Sequence, residues 1–131
     1  MQGMEPIAIV TLLILIQYFV FSILVGKARV QQKVEAPAVV GNAIFERYFR
    51  VHQNTLEQLV TVLPALWLFG WYVAPMVGAA LGLVFIIGRW IYCSAYVGDP
   101  AKRGIGFMIG TLAQTVLILG ALIWAILSLL G

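Results

Sequence analysis

The sequence predicts an all-α integral membrane protein, a single domain built as a four-helix bundle that runs up, down, up and down. Three observations carry this. Of the 131 residues, 63% are hydrophobic and 10% are charged, whereas soluble domains are about a quarter charged. Four apolar runs are each long enough to cross a bilayer. All the basic residues except Arg89 are also confined to alternate connections. Lys27, Arg29, Lys33, Arg47 and Arg50 lie between the first and second runs, Lys102 and Arg103 lie between the third and fourth, and the segments on the other side have no Lys or Arg. Charge placed this way is a topology signal and points to no nucleic-acid partner, although the net charge is +3.

The first span is expected at about 6–26, where 21 residues reach about 31 Å. Pro6 suits a first helical turn, because its missing N–H has no helical partner there. The run is too long for a signal-peptide core and reads as a retained span. A cytoplasmic loop follows at about 27–42, where Pro37 and Gly41 forbid one continuous helix. A second helix starts near Asn42 or Ala43, amphipathic at first, with its span at about 53–74 and Pro64 inside it. After a charge-free turn at Pro75, the third span covers about 77–97 and stops at Gly98-Asp99-Pro100. A second cytoplasmic loop at about 98–103 leads to the fourth span, about 104–130. Both basic loops then face the cytoplasm and both chain ends lie opposite. Gly78-x-x-x-Gly82 and Gly106-x-x-x-Gly110 allow close helix approach, either within the subunit or between subunits.

Two polar strips interrupt the apolar helices. Arg47, Arg50, Asn54 and Glu57 advance by three and four residues, as do Arg89, Tyr92 and Tyr96, so each strip follows one side of a helix. Ionisable groups at membrane depth are costly and usually face a bundle interior or a wet cavity. Glu57 and Arg89 should lie at similar depth, and an ion pair between them is the expected compensation. Arginines outnumber carboxylates, however, and the surplus suits a small anionic ligand, since guanidinium pairs bidentately with carboxylate. His52 lies off the face of Asn54 and reads as an interfacial hydrogen-bonding residue. Cys93 reads as a small buried hydrophobe. One cysteine and one histidine provide no disulfide and no metal cluster.

The stretch Phe45-Glu46-Arg47-Tyr48-Phe49-Arg50-Val51-His52-Gln53-Asn54-Thr55-Leu56-Glu57 resembles the second-helix signature of the MAPEG family, the membrane-associated proteins in eicosanoid and glutathione metabolism. Gly88-Arg89-Trp90-Ile91-Tyr92-Cys93-Ser94-Ala95-Tyr96 is similar to the family's third-helix element, and Arg103 sits where the family has its catalytic arginine. The resemblance implies a homotrimer in which glutathione, as co-substrate, lies between neighbouring subunits near the cytoplasmic face. It implies that Arg50, Asn54, Glu57, Tyr92 and Tyr96 contact glutathione, with Arg29, His52 and Arg89 nearby and Arg103 stabilising the thiolate. The second substrate would be a lipophilic electrophile or a lipid hydroperoxide arriving from membrane lipid, and the implied activities are transferase and peroxidase chemistry of detoxification. Gln58 stands at a glutathione-contact position where the leukotriene-forming synthase has a tyrosine, and Val30 replaces a second arginine after Arg29. The expected setting is a bacterial inner membrane, crossed several times, with the site facing the cytoplasm. Two other readings compete: a non-catalytic lipid-binding or scaffold protein of the same fold, and a small-solute exporter. The apolar far half of every span argues against the exporter.

Overall fold

The computed structural model describes residues 2–131 and is all-helical among them. Helix α1 spans Glu5–Gln31, α2 Ala43–Tyr72, α3 Pro75–Gly98 and α4 Gly104–Leu130, with a 3₁₀ turn at Pro100–Lys102 before α4. Local chemistry sets these bounds. The Asn42 side chain caps α2 by accepting from the Phe45 N–H at 3.0 Å, and the Glu46 carboxylate reaches back to the Asn42 N–H at 3.1 Å. Pro75 opens α3 within its first turn. Asp99 ends α3 and accepts from the Ala101 N–H at 3.1 Å, which turns the chain into α4.

Helix α1 runs five residues past the expected end of the first span, so the loop begins at Gln32 rather than Lys27. Lys27 and Arg29 are good helix formers, and cations are favourable where a helix dipole ends negative. α1 and α4 each pack against both α2 and α3. Ile7, Ile14, Leu66, Phe85 and Leu117 are fully buried in the shared core. Both glycine patterns serve packing within the subunit. A Cβ on Gly82 would press on Val10, and one on Gly106 would collide with the backbone of Tyr92. α3 and α4 therefore touch almost backbone to backbone, which fixes Tyr92 against the start of α4.

The outer surface is apolar: Phe19, Val60 and Leu129 are 64%, 72% and 84% exposed. An apolar belt of this kind is a surface for lipid or a partner, not for water. By length and composition, α1, α3 and α4 are each apolar enough to cross a membrane. α2 is not among them, because Asn54, Glu57 and Gln58 lower its hydropathy. It lies alongside the other three through packing. The chain is an integral membrane protein. All the basic side chains of the two loops gather at one end of the bundle, where α1 and α3 finish and α2 and α4 begin.

Candidate functional site

At that charged end an open cleft of about 680 Å³ separates α2, α3 and the start of α4. Arg50 and Asn54, one turn apart, enter from α2; Tyr92 and Tyr96, again one turn apart, enter from α3; Arg103, Gly104 and Phe107 close the cleft from the α4 side. The aromatic wall is continuous, with the Tyr92 ring 5.5 Å from Tyr96 and 6.2 Å from Phe107. One Arg103 N–H donates to the Pro100 carbonyl at 2.8 Å, which leaves the rest of the guanidinium toward the cleft. The first N–H groups of α4 lack helical partners beside it, so the positive end of that helix adds to the cationic field. The Asn54 Oδ1 is buried without a hydrogen-bond partner among the described residues.

The five arginines divide clearly. Arg29 donates to the Val34 and Ala38 carbonyls and lies 4.6 Å over the Phe45 ring, holding the loop after α1. Arg47 donates to the Val97 and Gly98 carbonyls at the end of α3. Arg89 is 1% exposed; it donates to the Thr55 hydroxyl at 2.8 Å and lies 4.2 Å over the Tyr92 ring. The remaining two, Arg50 and Arg103, are those that line the cleft. Among the described residues Arg50 meets a carboxylate only at Glu57, at 4.0 Å with both side chains more than half exposed, a contact of little worth.

The expected ion pair of Glu57 with Arg89 needs correction. Glu57 does not pair with Arg89: it points outward toward Arg50, while Arg89 turns inward to Thr55. Within one subunit Arg29, His52, Gln58 and Arg89 do not line the cleft. His52 faces α1, its ring stacked on Tyr18 at 4.5 Å, with Nε2 buried and unpartnered among the described residues. Gln58 hydrogen-bonds Gln114 of α4. Arg89 stands behind Tyr92 as its support. Glu57 lies at the rim through Arg50. Phe107 and Gly104 were not anticipated as cleft residues, because an apolar stretch at the start of a span carries no sign of which neighbour it meets.

The sequence pattern defining the MAPEG family matches residues 7–123. The chain belongs to the MAPEG family. It is 45% identical over 116 residues to an uncharacterised protein of Synechocystis sp., a match covering 88% of this chain and 85% of the other. It is 42% identical over 118 residues to microsomal glutathione S-transferase 2 of Homo sapiens, covering 88% and 80%. Leukotriene C4 synthase of Cavia porcellus is 34% identical over 97 residues, covering 74% of this chain and 65% of the synthase. The family match takes in every element that builds the cleft, from α2 through the start of α4.

Proposed function

We propose that this protein is a membrane-bound glutathione transferase that works as a homotrimer, with its cleft facing the cytoplasm. The observation that carries this reading is the pair of arginines, Arg50 and Arg103, left without an adequate internal counter-charge around one cleft. Glutathione carries two carboxylates, an ammonium and a thiol. Arg50 suits a carboxylate through paired N–H donors, Asn54 supplies an unpartnered acceptor for a tripeptide N–H, and Glu57 at the rim suits the ammonium. Arg103 then faces the thiol, where a fixed cation and the N-terminus of α4 favour the thiolate. Relatives named microsomal glutathione S-transferase support the same assignment.

The thiolate attacks an electrophilic carbon of a lipophile dissolved in the bilayer. A carbon–sulfur bond forms, and the leaving group departs with the electron pair. With a lipid hydroperoxide, the thiolate attacks the terminal oxygen, the O–O bond breaks and the alkoxide takes a proton from water. A second glutathione thiolate then displaces hydroxide from the resulting sulfenic acid to give the disulfide. Equilibrium binding of glutathione to the detergent-purified protein tests the proposal. Wild type binds and Arg50→Ala binds at least about tenfold more weakly, as expected for loss of a charge-assisted contact. No binding to wild type, or equal binding to both, refutes it.

A further inference from the structure

Gln17 is the one amide inside the apolar run of α1, and it is 2% exposed. Burying an amide in a membrane bundle is costly unless its N–H groups and its carbonyl both find partners. Half of that demand is met within the subunit: one N–H donates across to the Ile86 carbonyl of α3 at 2.8 Å. The bond fixes which way the amide is turned, because its own oxygen placed there would face the Ile86 oxygen. Gln17 Oε1 is left buried, with no donor among the described residues.

A matching donor lies one turn along α3. Arg89 follows Ile86 by three residues, about 4.5 Å of helix rise. Its Nε is buried with no acceptor among the described residues, although another guanidinium N–H donates to Thr55 at 2.8 Å. The same three helices stay in contact just beyond this level, where Phe21, one turn after Gln17, packs with Val51 and Tyr92. A buried acceptor that lacks a donor thus faces the same layer as a buried donor that lacks an acceptor, and the two do not bond directly. Polar groups placed this way are the two ends that one ordered water joins. Thr55 Oγ1 accepts from Arg89 and donates to the Val51 carbonyl, which leaves it a lone pair for the water's second hydrogen.

We propose that a single internal water links Gln17 Oε1 to Arg89 Nε, and that Gln17 is thereby a positioning residue for the cleft. The chain of contacts runs from α1 through the water to Arg89, and from Arg89 to the face of Tyr92, which lines the cleft. A guanidinium held by Thr55 alone can pivot about that bond. A second hold at Nε stops the pivot and fixes the cation over the ring. Helix α1 contributes no side chain to the cleft lining, yet it sets the aromatic wall at second hand. The inference rests on the transferase reading only for what the cleft binds.

The test uses the full chain in detergent with isotope-labelled arginine. Five arginines give five Nε–H signals, and Arg89→Lys identifies the one that belongs to Arg89. That signal should show a rotating-frame Overhauser cross-peak to water, of the sign that marks a bound water rather than exchange. Gln17→Leu removes both amide groups at similar volume, so the bundle should fold and the cross-peak should vanish. Gln17→Glu retains an accepting oxygen and should keep it. No cross-peak in wild type, or one that survives in Gln17→Leu, overturns the proposal. Glutathione affinity should fall about three- to tenfold in Gln17→Leu, the scale of one hydrogen bond, and stay within about twofold of wild type in Gln17→Glu. Ile14→Val, a fully buried methyl deletion one turn away on α1, should lower stability and leave that affinity alone. Unchanged affinity in Gln17→Leu, or an equal fall in Ile14→Val, shows that Gln17 does not position the cleft. A wild type that binds no glutathione refutes the transferase reading, and the Arg89 signal alone then decides the water bridge.

Discussion

Removing the Thr55 hydroxyl probes how the bundle tolerates a buried guanidinium. Arg89 is 1% exposed and no carboxylate lies within ion-pair distance among the described residues. Its one hydrogen bond is to Thr55 Oγ1 at 2.8 Å, while that hydroxyl donates onward to the Val51 carbonyl at 2.7 Å. The guanidinium Nε is already without a partner. Thr55→Val keeps the side-chain shape and leaves the cation with only the Tyr92 ring, 4.2 Å from its centre. A hydrogen bond to a charged group contributes about 1.5–3 kcal/mol, so the variant should lose about 2 kcal/mol. The assay is unfolding by sodium dodecyl sulfate in mixed micelles. Thr55→Ser, which retains the hydroxyl, should recover most of the loss. In an Arg89→Met background the same Thr55→Val change should cost less than about 0.5 kcal/mol, because no buried charge remains to be orphaned. Equal losses in both backgrounds, or no loss in wild type, refute the reasoning.

Arg103→Gln removes the cation proposed to face the thiol. The bound glutathione thiol should then titrate about one pH unit higher, seen by ultraviolet thiolate absorbance, and the rising limb of the rate–pH profile should move the same way. Gly106→Ala puts a methyl against the Tyr92 backbone and parts α3 from α4, at about 1–3 kcal/mol in the same unfolding assay and with weakened glutathione binding. If neighbouring subunits share each site, co-expressed Arg29→Ala and Arg50→Ala chains should regain activity that neither variant has alone. About a quarter of the sites in a random one-to-one mixture would then be intact, whereas sites confined to single subunits would show no recovery.

The number and order of the helices were legible in composition, because lipid selects long apolar runs and leaves cations at their ends. The cap at Asn42, the turn at Pro75 and the stop at Asp99 follow from side chains that act within four residues of themselves. The lining of the candidate cleft was partly legible for the same reason, since three- and four-residue steps gather Arg50 with Asn54 and Tyr92 with Tyr96 whatever lies opposite. Relations between helices were not legible. Glu57 and Thr55 are two residues apart, about 200° around α2, so they face nearly opposite ways. Depth alone made Glu57 the natural partner for Arg89; rotation made it Thr55. Phe107 in the cleft and Gln114 against Gln58 likewise depend on how α4 is rotated against α2, and the Gly88–Gly106 contact with α3 helps to set that rotation.

The placement of the leftover cations joins these points into one mechanism. Arg29, Arg47 and Arg89 are consumed by carbonyls, a hydroxyl and aromatic rings, so they set loop, helix end and aromatic wall. Arg50 and Arg103 are the two remaining, and they sit where α2 and α4 begin, at the boundary between charged loops and the apolar belt. A charged tripeptide can reach that boundary from water, but its carboxylates cannot go deeper without losing hydration. A lipophile reaches the same boundary from the other side, already concentrated by the bilayer. On the proposed function, the cleft therefore lies at the one depth where both reactants arrive without crossing a phase that rejects them. If the proposed function holds, moving the arginines one turn deeper would strand the thiol, and moving them one turn outward would surrender a lipid substrate to water.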